Sequence, residues 1–298
     1  MEHGAAESCP APAARARSSG PQLAEVAAYY QTKTASILER YGPGPRVHYH
    51  TGIVDTAPPR DASAAQLRRM LVDSQVLMLA HAAQVWNAPA TLAGDVLDVG
   101  CGLGGGSIFW AENFGARVTA LTCVPDHLEL VARFASEAGA AARIRPLLCD
   151  AVEAPGESCF DAAVAVDSSG YLPRGPWMRR VARLLRPRGR LFVIDCFLAQ
   201  PAYEEAFNRY WCSRIGSLKE YFTAARMAGL RVESCEDVSH RTAHFWTTTV
   251  RLIDALRRTP GGEPGQSERL AASRRIHRLV REGLLGGGLR YALIAFSK

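Results

Sequence analysis

The stretch VLDVGCGLGGGSIF, Val96 to Phe109, sets an acid and then glycines at positions 100, 102, 104, 105 and 106 between an apolar run and a helix-like run. Bare backbone at that density serves either a tight turn from a strand into a helix or a ligand that lies directly on the turn. The pattern is D-x-G-x-G-x-G from Asp98 to Gly104. Dinucleotide-binding turns instead follow G-x-G-x-x-G and carry an acid some twenty residues later. Upstream, His48 and His50 alternate as on a strand in VHYHTGIVD, so both can face one pocket. The eight cysteines, at 9, 101, 123, 149, 159, 196, 212 and 235, form no CxxC pair and no zinc-type spacing. No metal site is read from these residues, including a pairing of the two histidines with His240 or His244.

The elements that must position this turn are legible from periodicity. Leu23 to Tyr41 has helical composition and stops at YGPGPR, and Ala62 to Trp86 carries apolar residues at helical spacing. VHYHTGIVD reads as an extended connection between them. From Val96 onward short apolar runs alternate with helical stretches, the form of a parallel sheet covered on both faces. The spacing predicts strands at 95–99, 116–121, 143–148, 160–166 and 189–196, and helices near 104–114, 125–138, 175–186 and 214–228. LRVESCEDV, a helical insertion near 241–285 and LRYALIAFSK then close the sheet with an antiparallel last strand. The expected organisation is a disordered tail over 1–22, an N-terminal helical cap over 23–90 and an α/β core over 91–298.

Three further stretches follow the glycine turn in order. LLCDA ends a strand at Asp150, beside Ala151; FDAAVAVDSSGYL, 160–172, ends one at Asp167; ARLLRPRGRLFVIDCF, 182–197, joins a leucine-rich helix to a strand through a proline-glycine turn. Together the four stretches resemble the motifs of class I S-adenosylmethionine methyltransferases in order and spacing. The resemblance implies a Rossmann-like, seven-stranded, mostly parallel sheet and S-adenosyl-L-methionine as cofactor. Asp98, Gly100, Gly102 and Gly104 would cradle its methionine part, Asp150 and Ala151 would meet its adenine, and the end of the fourth strand would face its methyl group. Thr122 stands where many relatives carry an acid for the ribose. That form is similar to the cyclopropane-synthase and sterol-type subgroup, with His127 as the assisting polar group. Arg188 stands where a second glycine is more usual.

YYQTKTASILERYGPGPRVHYHTG, Tyr29 to Gly52, with the stretches CDAVEAPGESCFDAAVAVDSSGYLPR and CFLAQPAYEEAFNRYWCSRIGSLKEYF, resembles bacterial isoprenoid C-methyltransferases of the geranyl-diphosphate and teleocidin type. That likeness spans nearly all of 23–298 and implies a small lipophilic substrate in specialised metabolism, methylated at a prenyl double bond through a carbocation. Such a double bond is a weak nucleophile and must be pressed against the methyl group in a dry pocket. Aromatic faces stabilise the resulting cation. Tyr203, Phe207, Tyr221 and Phe245 belong to that aromatic supply, and Tyr29, Tyr210, Trp211, Phe222 and Trp246 are taken as the substrate contacts. Proton removal falls to Asp167, Tyr171, His48 or His50, with Tyr30 closing over them. Asp167 and Gly170 depart from the Glu and larger residue expected there. Magnesium, with arginines such as Arg46, is required only for a diphosphate substrate. The alternative is N- or O-methylation of a small amine or phenol. A cofactor-binding protein without catalysis is opposed by the intact Asp98, glycines and Asp150.

Composition narrows the partners. The chain has 298 residues, 48% hydrophobic and 21% charged, with formal charge +6, enough for one large domain with a cap. Its arginines are scattered, with RRVARLLRPRGR reading as a solvated amphipathic helix, and Asp167-Ser168-Ser169-Gly170-Tyr171 is not the (N/D)PPY signature of base-modifying enzymes. No nucleic-acid partner is expected. No apolar run is long enough to span a membrane and no signal peptide is read, so a cytoplasmic protein with reduced thiols is expected. A homo-oligomer is left open.

Overall fold

The structure, a computed structural model, describes residues 21–258 and 266–298. The expected tail therefore lies outside the described residues as far as residue 20. The elements are α1 (Pro21–Tyr41), α2 (Ala64–Val85), α3 (Pro89–Leu92), β1 (Asp95–Val99), α4 (Gly105–Phe114), β2 (Arg117–Thr122), α5 (Pro125–Glu137), β3 (Ile144–Leu148), β4 (Phe160–Val166), α6 (Arg174–Leu184), β5 (Leu185–Leu198), α7 (Glu204–Trp211), α8 (Leu218–Met227), β6 (Arg231–Asp237), α9 (Ser239–Arg257), α10 (Gln266–Leu285) and β7 (Leu289–Ser297). α2 and α8 each open on a capping box, Ser63 with Gln66 and Ser217 with Glu220, which satisfies the first free N–H groups of each helix.

The seven strands form one sheet in the order β3-β2-β1-β4-β5-β7-β6. β1 to β5 pair in parallel, and β7 runs antiparallel to both β5 and β6. The fold class is the expected Rossmann-like one. Strand residues alternate between two cores. Val96, Val118, Val164 and Phe192 face α2, α4, α5, α9 and α10, whereas Leu97, Leu121, Ala163 and Val193 face Trp177 of α6 and Tyr221 of α8. Trp86, just beyond α2, stacks on Phe192 with centroids 4.5 Å apart. Such a buried ring contributes about 1.5–3 kcal/mol or more, and it joins α2 to the sheet.

VHYHTGIVD is an unpaired connection, as expected, wedged between helices, with the Ile53 N–H donating to the Ser74 carbonyl and the Val54 N–H to that of Arg241. Two expectations are corrected. The helix expected over 214–228 is α8, which starts only at Leu218 because the Ser217 cap sets its first turn, and an additional helix, α7, precedes it and ends at Cys212 in a left-handed conformation, φ 52°. β5 begins at Leu185 rather than 189, because Leu185 pairs with Phe160 ahead of a bulge. Arg188 adopts φ +65° beside that bulge, the conformation for which glycine is the usual residue.

The strand order reverses between β1 and β4, and in open α/β sheets ligands enter the crevice at the carboxyl ends of such a pair.

Candidate active site

The glycines of the turn stand in two different surroundings. Gly100, φ +71°, follows the end of β1, and a Cβ there would lie 2.6 Å from that of Ser168. Its bareness is required by the chain's own packing. Gly102, φ +55°, has nothing within 4 Å of where its Cβ would stand and borders a cavity of about 1010 Å³. Asp98 lies at the edge of the same cavity and accepts a hydrogen bond from Ser107 Oγ at 2.6 Å. Burial pushes its carboxyl up to about 6, against the pull of Ser107.

That cavity continues past the end of β2, where Thr122 Oγ1 accepts from the Val124 N–H at 3.1 Å, to Cys149 and Ala151 after β3. His127, in the first turn of α5, lines it too. Thr34 Oγ1 donates to the Tyr30 carbonyl at 2.8 Å, so the 2.9 Å contact between Thr34 Oγ1 and His127 Nε2 is a donation from the ring. This ties α1 to α5. Burial lowers the His127 pKa to about 4, and the ring stays neutral.

A second cavity of about 810 Å³ lies under α1, α7, α9 and α10. Five residues, Tyr30, Tyr49, His50, Asp167 and Tyr171, line both cavities. Here the Tyr30 hydroxyl donates to that of Tyr171 at 2.8 Å. The His50 Nδ1–H donates to the Thr51 carbonyl at 3.0 Å, which leaves Nε2 to accept across 3.4 Å from His48 Nδ1. Burial, then the neighbouring His50, lowers the His48 pKa to about 3. Asp167 follows β4 in a left-handed conformation, φ 46°, and accepts from the Thr51 N–H and the Tyr291 hydroxyl, each at 2.7 Å. Burial raises its pKa while both donors and His50 oppose the rise. The arrangement can hold a charged or proton-releasing centre against an aromatic wall.

Of the residues singled out in the sequence, Asp98, Gly100, Gly102, Thr122, His127 and Ala151 line the first cavity, Tyr210, Trp211 and Trp246 the second, and His48, His50, Tyr30, Asp167 and Tyr171 stand at or beside the junction. Gly104 lines neither cavity, and a Cβ there would meet Val131 at 3.2 Å. Asp150 is buried between Cys149 and Ala151 and accepts from the Val152 N–H at 3.0 Å. Tyr29 lies one ring back, edge-on to Tyr30 at 5.2 Å. Phe222 is misplaced as a substrate contact: α8 packs on the other face of the sheet, where Phe222 meets Phe296. Tyr221 is on that face too, bonded to Ser169. Arg46 is exposed and paired with Glu112; Arg40 is the arginine that lines the second cavity. Among the described residues no group of three or more His, Cys, Asp or Glu could hold a metal ion.

Sequence reasoning missed Tyr49, Thr51, Asp195, His277 and Tyr291, which also line the second cavity. Asp195 and Tyr291 had a signal, a polar group inside an otherwise apolar strand, VIDCF and RYALIAF. Such a group must find partners or face a ligand. Asp195 accepts from Ser169 N–H and Oγ, Gly170 N–H and Cys196 N–H. Burial and the nearby Asp167 push it up to about 7.

Residues 96–189, from β1 to Gly189 in the first part of β5, match the family described as a methyltransferase domain. Over those residues the chain carries a methyltransferase domain. The chain is 35% identical over 176 residues to 27-O-demethylrifamycin SV methyltransferase of Amycolatopsis mediterranei, covering 55% of this chain and 64% of that one. It is 27% identical over 244 residues to geranyl diphosphate 2-C-methyltransferase of Streptomyces lasalocidi, covering 76% and 79%. The chain spans 49% to 64% of the length of the first curated relatives it matches. In three dimensions it is similar to a geranyl diphosphate methyltransferase solved with GPP and sinefungin, with TM-score 0.77 and 22% identity over 93% of this chain and 99% of that one. At that identity the likeness speaks for the methyltransferase fold and for nothing finer. Among the described residues no helix is long and apolar enough to cross a membrane.

Proposed function

We propose that this protein transfers the methyl group of S-adenosyl-L-methionine to a small lipophilic acceptor. The observation that carries the reading is the meeting of two chambers at Tyr30, Tyr49, His50, Asp167 and Tyr171. The first chamber fits the cofactor: it runs along the ends of β1, β2 and β3, and Gly102 leaves its edge free of side chain. Asp98, the glycine turn, Thr122, His127 and the Asp150–Ala151 corner would hold it. Bound there, it supplies an electrophilic methyl carbon whose bond to sulfur breaks as the acceptor's electron pair takes the carbon.

The second chamber would receive the acceptor. We read it as a prenyl or isoprenoid double bond, methylated at carbon, because Trp211, Trp246, Phe207, Tyr210, Tyr41 and Tyr49 supply faces for a developing cation and the geranyl diphosphate enzymes are among the relatives. Tyr30, hydrogen bonded to Tyr171, excludes water from the junction. Asp167 offsets positive charge on the acceptor and accepts the departing proton, with His50 as its neighbour. The 35% likeness to an O-methyltransferase favours a second reading, a hydroxyl acceptor from which Asp167 or His50 takes the proton. In either case residues 23–90 act as the cap of a protein of specialised metabolism. A cytoplasmic site is read from the sequence, whose cysteines form no CxxC pair and no zinc-type spacing.

Incubating the purified protein with methyl-labelled cofactor and a panel of prenyl diphosphates with magnesium, prenylated indoles, amines and phenols, then weighing the products, tests both readings. Label on carbon supports the first, and label on oxygen or nitrogen the second. Tight cofactor binding with no labelled product from any class would count against both.

A further inference from the structure

Two buried acids stand in the acceptor chamber, and their donors come from elements far apart in the chain. Asp167 takes the Thr51 N–H on Oδ2 and the Tyr291 hydroxyl on Oδ1. Tyr291 is 1% exposed and fixed in β7 opposite Cys196, and its own N–H donates to Ser239 Oγ at the start of α9. The groups facing Asp167 are Thr51 and His50 from the connection after α1, Tyr30 and Tyr41 from α1, Asp195 and Cys196 from β5, and Tyr291 from β7.

A backbone N–H can only donate, so a protonated Asp167 would carry its proton on Oδ1, where Tyr291 already donates. Protonation would force the tyrosine hydroxyl to turn away. Donors to both oxygens favour the anion, and they also fix the direction of a carboxylate whose backbone is left-handed. Resting on the methyl-transfer reading above, we propose that Tyr291 is a positioning residue that holds Asp167 as an anion at the junction of the two chambers, ready to offset and then remove positive charge from the acceptor.

The test is carbon NMR of the full chain labelled at aspartate Cγ and tyrosine Cζ, titrated in wild type and Tyr291→Phe, with Asp167→Asn and Tyr291→Phe assigning the two resonances. Loss of the donor should raise the Asp167 midpoint by about one to two pH units, a 10- to 100-fold gain in proton affinity. In wild type the Tyr291 Cζ resonance should titrate with the same midpoint, a reading that needs no variant to fold. An unmoved Asp167 midpoint, or a flat Tyr291 signal, overturns the proposal. With an acceptor from the panel, the acidic limb of kcat should move upward with Asp167 while cofactor affinity stays within twofold. A purely structural Tyr291 would lower melting temperature and cofactor affinity and leave the limb in place. A moved Asp167 midpoint with no methylated product would uphold the positioning and sink the methyl-transfer reading.

Discussion

Alanine at Gly100 and at Gly102 should fail in different ways, although the two glycines stand two residues apart in the same turn. At Gly100 the new Cβ would lie 2.6 Å from Ser168 Cβ. Ser168 cannot retreat easily, because it is buried and its hydroxyl donates to the Val99 carbonyl at 2.6 Å. The left-handed φ adds about 1–2 kcal/mol and the overpacking about 1–3 kcal/mol, so Gly100→Ala should lose about 2–5 kcal/mol of stability. At roughly 2–4 °C per kcal/mol, melting should fall on the order of 10 °C. Gly102→Ala carries only the conformational cost of about 1–2 kcal/mol, because no protein atom opposes its Cβ. That methyl projects toward the first chamber instead. Crowding of about 1–3 kcal/mol against a ligand there weakens S-adenosylhomocysteine about 5- to 150-fold. Thermal unfolding and calorimetric titration of the two variants decide the matter. A Gly102→Ala protein with native affinity would remove the turn from the cofactor site, and an undisturbed Gly100→Ala would refute the close-approach argument.

Asp150→Ala should weaken cofactor binding by about 1–2 kcal/mol, the scale of one buried hydrogen bond left unmade, with less effect on turnover at saturating cofactor; titration calorimetry and saturation kinetics separate the two. His127→Gln should narrow its stability gap to wild type on acidification. The folded His127 pKa of about 4 lies below the unfolded value near 6.5, so between these the unfolded chain binds the extra proton and wild-type stability falls as pH falls. From pH 7.5 to 5 this term removes about 2 kcal/mol from wild type and nothing from the variant. Urea unfolding of both proteins at the two pH values measures it, and parallel pH dependence would contradict a neutral buried ring.

The sheet was legible because its signals are local. Apolar runs bounded by glycine and proline place β1 to β4 within a residue or two of their observed ends, and the D-x-G-x-G-x-G pattern marks the turn by steric need alone. What escaped depends on pairing partners and on which face a helix presents. Phe222 belongs to an aromatic cluster in sequence, yet α8 packs on the opposite core from Trp211 and Trp246. Nothing in its neighbourhood distinguishes the two faces. Arg46 and Arg40 are equally plausible cations on paper; Glu112 claims the first. Tyr291 lies over a hundred residues from Asp167, and only the antiparallel insertion of β7 beside β5 brings them together.

The crevice itself follows from how β1 and β4 end. Beyond β1 the N–H groups of Gly100 and Cys101 both donate to the Leu121 carbonyl, so the chain leans toward β2. Beyond β4 the Asp167 N–H donates to the Ile194 carbonyl, so that chain leans toward β5. Adjacent parallel strands thus part at their carboxyl ends, and left-handed backbone at Gly100 and Asp167 is the local condition for turning away so sharply. At a non-glycine residue such a conformation costs on the order of 1–3 kcal/mol, which Asp167 can bear because Thr51 and Tyr291 bond its side chain and Ile194 its backbone. The opening would fill with water were it left bare. Instead the segment after α1 enters it, placing the Thr51 N–H on Asp167, and Tyr30 bonds to Tyr171 across the gap. The cap is therefore part of what keeps the acid in position, and loosening α1 should disturb the ionisation of Asp167 as well as the access of solvent.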